Sequence, residues 1–310
     1  MRVDAGMPAA NTGFLGRGEW PTWLALACMH AGWGICLFAY PSLGVLVCVP
    51  LAVLTAFHSS LQHEALHGHP TRRAWLNELF VALPVGLLIP YRSFKTSHLR
   101  HHNDERLTDP YDDPESWYLA EQDWPALSWP MRNLIWINGT LAGRLVVGPW
   151  LMSFGFLRAE LRALRSGCTD TRGAWLRHLP GMAVVLALVW AAGMPAWIYV
   201  LAVVWPALSL LSLRTFIEHR AATCPKQRSA IIESGWFWSL LFLNNNLHRV
   251  HHERPALAWY RLPAAWRAEK ARYLSENGGY HFADYGAVAR RWMWRRREPM
   301  VHPLMRKSGR

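Results

Sequence analysis

Histidine is the residue through which this chain can do chemistry, and the spacing of its histidines says how. The chain has 15, most of them in four clusters. The first is His63-Glu-Ala-Leu-His67, followed by Gly68-His69. The second is His98-Leu-Arg-His101-His102, the third Glu218-His219, and the fourth His248-Arg-Val-His251-His252. On a helix, residues three or four apart share a face. His63 and His67 are therefore expected to point the same way, and each HxxHH run is expected to present its first histidine beside the other two. Neutral imidazole suits iron, copper and zinc. Three such clusters on different helix ends could surround two metal ions.

A lone histidine on an apolar helix is ordinarily a hydrogen-bonded structural residue. His30, His178, His281 and His302 take that reading, and His69, which fits no box, is read as structural or as support for a ligand. Two HxxHH runs and an HxxxH, each just beyond an apolar segment, are hard to assign to packing, because burying imidazole without partners is costly. A ligating histidine usually donates its other N–H to a carboxylate or carbonyl. Glu64, Asn244, Glu218 and Glu253 are the candidates for that role. Asp104, Asp109, Asp112, Asp113, Asn245 and Asn246 are also close in sequence. Residues 63–67 match HExxH as well, the zinc protease pattern in which Glu64 would be the general base. That alternative uses two histidines and leaves both HxxHH runs idle. A non-enzymatic metal transporter would call for intramembrane carboxylates, and the apolar segments hold almost none.

HxxxH, HxxHH and HxxHH boxes in this order, set between paired apolar segments, resemble the membrane-bound fatty acid desaturase and hydroxylase superfamily over roughly residues 22–265. RTFIEHR, holding Glu218-His219, is similar to the extra histidine segment of bacterial alkane hydroxylases. LHRVHHERPALAWYRLP resembles the last box of bacterial desaturases and carotenoid ketolases. The resemblance implies nine ligands: His63, His67, His98, His101, His102, His219, His248, His251 and His252. It implies two iron ions cycling between Fe2+ and Fe3+, with O2 as co-substrate. The reaction implied is oxidation of C–H bonds in a lipid-like substrate, fatty acyl desaturation first. Hydroxylase or ketolase activity is the alternative, as is desaturation of a small metabolite.

Those histidines need elements to hold them. Apolar residues make up 52% of the chain and charged residues 17%, fewer charges than an ordinary globular protein carries. The 19 tryptophans suit a lipid–water boundary. Mean hydropathy is only +0.01, so polar segments must offset the apolar ones. Residues 22–40 and 43–60 form one apolar pair around Pro41-Ser42. Residues 179–193 and 195–213 form another around Gly193-Met194-Pro195. Each run is close to the length that crosses a bilayer. Residues 74–90 are shorter and contain Glu78 and Pro84, which suggests a re-entrant or interfacial segment. Residues 133–157, with Arg144 in the middle, read as an interfacial helix. The expected fold is all-α: about four transmembrane helices in two hairpins, interfacial helices, and a His-rich cap.

Charge orients this arrangement. Residues 249–310 hold 14 Lys or Arg against 5 Asp or Glu, and positive residues collect on the cytoplasmic side. Two hairpins with uncharged tips then place both termini and every box in the cytoplasm, in a multi-pass protein of the bacterial inner membrane. No cleavable signal peptide is expected, because the first apolar run is too long for one. The expected organisation is a membrane domain over residues 1–265 and a basic tail over 266–310. The net charge of +12, without nucleic-acid motifs, fits an anionic membrane face or an acidic protein. Five cysteines without a CxxC pair exclude a disulfide framework. His69-Pro70 lacks the Gly-Gly of a cytochrome b5 motif, and there is neither a ferredoxin cysteine set nor a dinucleotide fingerprint. Electrons are therefore expected from an external donor such as ferredoxin with its reductase.

Overall fold

The computed structural model describes residues 19–103 and 105–304. Asp104, the tail before Glu19 and the residues after Leu304 lie outside the described residues. Among the described residues, four helices are long and apolar enough to cross a membrane: Trp20–Phe38, Tyr40–Leu66, Thr169–Ala191 and Ala196–Glu218. They pair in two hairpins, as the sequence implies. The third span begins ten residues earlier than its apolar run, because a polar first section with Asp170, Arg172 and Arg177 stays helical. The second tip turns at Gly193, whose φ of +71° suits glycine. There the Met194 N–H bonds the Val189 carbonyl at 3.1 Å, and Met194 is buried.

The spans meet along a core that includes Met29, Trp33, Leu51, Val185, Tyr199 and Val203. Residues 74–90 dip between them as a re-entrant segment. A short helix, Ala74–Phe80, gives way to an irregular stretch. In an apolar setting its carbonyls need partners, and side chains of the spans supply them. The Tyr199 hydroxyl donates to the Val85 carbonyl at 2.7 Å, and His178 Nε2 donates to the Leu87 carbonyl at 2.7 Å. Gly86 lies beside Thr55, eight residues before His63, or roughly 12 Å along a helix. The chain then returns as the helix Tyr91–His101.

Residues 129–165 form three helices, none of them a span: Trp129–Asn138, Leu141–Val146 and Gly148–Arg165. The last exposes Trp150, Phe154, Leu157 and Leu161 along one stripe, as an interfacial helix does. Residues 262–302 pack on the body. Ile231-Ile232 pair in parallel with His281-Phe282, and Tyr273, Tyr280, Tyr285 and Val288 are buried. All five cysteines are free.

Candidate metal centre

Each box sits at an element end. His63 and His67 lie on the last turn of the second span and at its C-cap, on one face. His98, His101 and His102 end the helix Tyr91–His101. His248, His251 and His252 are half of the short helix His248–Glu253. His219 follows the fourth span in an extended conformation and pairs with Ser229.

The nine imidazoles converge as two groups, one of His63, His67, His98, His102 and His251, the other of His101, His219, His248 and His252. Within each group the candidate ligand atoms lie within 4.8 Å of one another. Each HxxHH box is divided between the groups. Its first and last histidines, four residues apart, share one group, and the middle one crosses to the other. The expectation that all three serve one face is corrected accordingly: i and i+4 stay aligned, while i+3 is rotated far enough to reach the neighbouring group. The groups adjoin, with the rings of His102 and His252 stacked at 4.4 Å between centroids.

Proton positions decide whether a metal fits. The Asp113 carboxylate accepts from His101 Nδ1 at 2.8 Å, the Asn245 carbonyl from His248 Nδ1 at 2.9 Å, and Glu115 from His98 Nδ1 at 3.0 Å. In the neutral imidazole a protonated Nδ1 leaves Nε2 as a bare lone pair. His101 Nε2 and His248 Nε2 both face His219 Nε2, at 2.8 and 2.9 Å. One His219 proton cannot serve both. His63 Nε2 and His67 Nε2 are buried with no hydrogen-bond partner. Lone pairs aimed at each other are unfavourable, and shared cations would satisfy them. The donor set therefore fits two nitrogen-liking metal ions.

Electrostatics agree. Burial, with neighbouring imidazoles, pushes His67 down to about 2 and His102 down to about 3. The same causes hold His248, His251 and His252 well below the ordinary histidine range. Neutral rings are the form that binds metal. His101 differs. Burial opposes its charge, but Glu115 and Asp113 outweigh burial and hold it up at about 9. A metal there competes with a proton. Burial would raise the Glu115 carboxyl, but His101 and His98 hold it below its usual range.

The supporting residues differ in part from those expected. Of the four candidates Glu218 comes near one of the nine converging imidazoles, its Oε1 lying 3.5 Å from His248 Nδ1 and 2.8 Å from Arg214 Nε. Asn244 is corrected: with φ at +56° it turns away and donates to the Trp259 carbonyl at 3.0 Å, and Asn245 takes the role. Glu253 is corrected too, since its carboxylate pairs with Arg272 at 2.6 Å and accepts from Tyr273. Glu64 accepts from the Trp259 N–H at 3.0 Å. Its Oε1 also lies 3.9 Å from His69 Nε2. Asp109 and Asp112 stay in their exposed loop, bonding its backbone and Arg106. Glu115 belongs to no motif. The acidic run after the second box was the only signal for it.

Outside the two groups, His58 is buried in the second span with its Nε2 unpartnered, while His30, His69, His178, His281 and His302 have ordinary partners. His30 Nδ1 bonds the Leu26 carbonyl, His281 Nε2 bonds Glu233, and His302 Nε2 bonds the Thr108 hydroxyl. His69 lies 3.0 Å from Glu19 and 3.2 Å from the Ala256 carbonyl, so it ties the start of the first span to the segment after the last box.

A family model described as Fatty acid desaturase matches residues 40–284. A comparison with curated proteins finds none that matches. The matched region spans most of the chain and holds all nine converging histidines, three of the four apolar spans and the supporting Asp113, Glu115 and Asn245. Residue pattern, helical hairpins and paired imidazole groups agree with that match, and the chain belongs to the fatty acid desaturase family.

Proposed function

We propose that the chain is a membrane-bound, O2-dependent oxidoreductase that removes hydrogen from C–H bonds of a lipid-like substrate, with fatty acyl desaturation as its reaction. The observation that carries the reading is the convergence of nine imidazoles into two adjoining groups in a member of this family. Two iron ions held by those groups would supply the O2-activating redox chemistry that side chains lack. His63, His67, His98, His102 and His251 would hold one ion. His101, His219, His248 and His252 would hold the other.

The chain's own contribution is position and protonation. Asp113, Asn245 and Glu115 keep protons on Nδ1 of His101, His248 and His98, which aims each Nε2 inward. Burial of His63, His98, His101, His248 and His251 keeps water from the centre. Trp259 fastens the loop after the last box to the spans, bonding Glu64 through its N–H and Thr22 through its indole.

The proposed setting is a bacterial inner membrane with the centre on the cytoplasmic side, where the basic residues gather. Electrons would come from ferredoxin and its reductase, the acidic carrier being steered by the basic face. A second reading, hydroxylation or ketone formation at the same centre, is favoured by His219, which joins the second imidazole group from a segment that resembles the extra histidine segment of bacterial alkane hydroxylases. Expression in a heterologous host, followed by lipid and metabolite profiling, tests both. New unsaturated acyl chains support desaturation. Hydroxylated or keto products move the assignment to the second reading. Unchanged profiles with an iron-loaded protein and a working donor contradict both.

A further inference from the structure

Away from the histidines, the helix Leu141–Val146 carries Arg144, only 6% exposed. Its guanidinium lies over the Trp117 ring, 3.6 Å from the centroid, and 5.7 Å from that of Phe216. Its Nε donates a long 3.4 Å bond to the Asn138 carbonyl. Its Nη1 is buried without a partner, and it forms no ion pair among the described residues. An aromatic face attracts a cation but does not neutralise it, and arginine does not shed its charge in proteins. A buried, uncompensated charge is strongly unfavourable.

Two more polar groups nearby are orphaned, Asn138 Oδ1 and Ser212 Oγ. All three residues crowd the start of the helix Gly148–Arg165. A Cβ on Gly148 would come within 2.8 Å of Arg144 Cδ, 3.1 Å of Asn138 Oδ1 and 3.5 Å of Ser212 Oγ. Arg144 and Asn138, with Trp117, Phe216, Arg297 and Glu298, line a cavity of about 30 Å³. Pro299, on its wall, is exposed. Glu298 is already engaged by Arg297 Nη2 at 2.7 Å and by the Tyr118 hydroxyl. Two guanidinium charges against one carboxylate leave the cavity with one net positive charge.

We propose that this cavity is a small-anion site with Arg144 as the counter-ion. Its volume is close to one water's share of the liquid, roughly 30 Å³. It admits a halide or the two-oxygen tip of a carboxylate and is too small for a phosphate. The shared chemistry is a compact monovalent anion accepting N–H bonds from Arg144. Its source is either a free inorganic or organic anion or the carboxylate end of a chain-like substrate. The site does not depend on the proposed reaction, and its test does not read activity.

The test is thermal unfolding of the full-length protein in detergent, at constant ionic strength, with chloride or formate replacing methanesulfonate, whose three-oxygen head is as bulky as that of phosphate. The wild type should gain several degrees, saturably, because a ligand bound to the folded state alone raises its stability. Arg144→Met should show no gain. Asn138→Asp sets a carboxylate beside the guanidinium; it should match or exceed the wild type in methanesulfonate and lose the response, which decides the matter even if Arg144→Met does not fold. A gain with octanoate, absent with its methyl ester and absent in Asn138→Asp, assigns the site to a substrate carboxylate. A gain with chloride and formate alone assigns it to a free anion. A wild type that responds to none of these anions, or an equal response in the wild type and Asn138→Asp, overturns the proposal.

Discussion

The Asp113 carboxylate accepts the Nδ1 proton of His101 at 2.8 Å, and this bond sets which nitrogen of His101 faces His219. Asp113 is itself fixed, since its other oxygen accepts from the Thr108 N–H at 2.9 Å. Asp113→Asn nearly keeps the shape and removes the charge. Outer partners of this kind are typically worth about 10- to 100-fold in metal affinity. Iron affinity, measured by competition with a chelator, should fall by that order. Unchanged affinity would mean that Asp113 only shapes the loop.

His219 and His101 belong to the same group. Alanine at either should give the same phenotype: lost turnover, with iron falling from about two per chain towards one, since five imidazoles of the other group remain. Iron analysis of both purified variants checks this. Full iron and substantial turnover in His219→Ala would remove His219 from the centre.

His178, His281, His302 and His30 bond ordinary protein groups. Alanine at each should leave iron bound and most turnover intact. His178 is the informative control, because it is buried and its loss orphans the Leu87 carbonyl. It should cost about 1–3 kcal/mol of stability, read by thermal unfolding, at unchanged iron content. Loss of iron there would show that the re-entrant segment and the centre are coupled.

Much of this arrangement was legible in the sequence. The hairpins follow from four apolar runs nearly free of charge, and the ligand candidates from histidines three or four residues apart. What was not legible depends on where separate segments meet. His98 and Glu115 are 17 residues apart across a loop with no repeating pattern. Asn245 and not Asn244 supports His248, because positive φ at Leu243 and Asn244 turns the chain between them. The division of each HxxHH box between two groups is a tertiary fact, set by the angle at which three helix ends converge. Arg144 read as a residue that argued against a span, and its burial under Trp117 became visible only in the fold.

Topology is also open to a direct check. The proposal that the centre faces the cytoplasm rests on the charge excess after residue 249 and the uncharged hairpin tips. Reporter fusions at residues 41 and 194 should report the outside, and those at 105 and 310 the inside. An outside signal at 105 would separate the second box from the others and break the shared centre.

The central claim is that nine imidazoles form two metal sites, and metal content tests it most directly. Protein purified and reconstituted with Fe2+ under reducing conditions should hold about two irons per chain, because four or five nitrogen donors in each group suit one ion apiece. Stoichiometric zinc with no iron retained, under the same conditions, would contradict it.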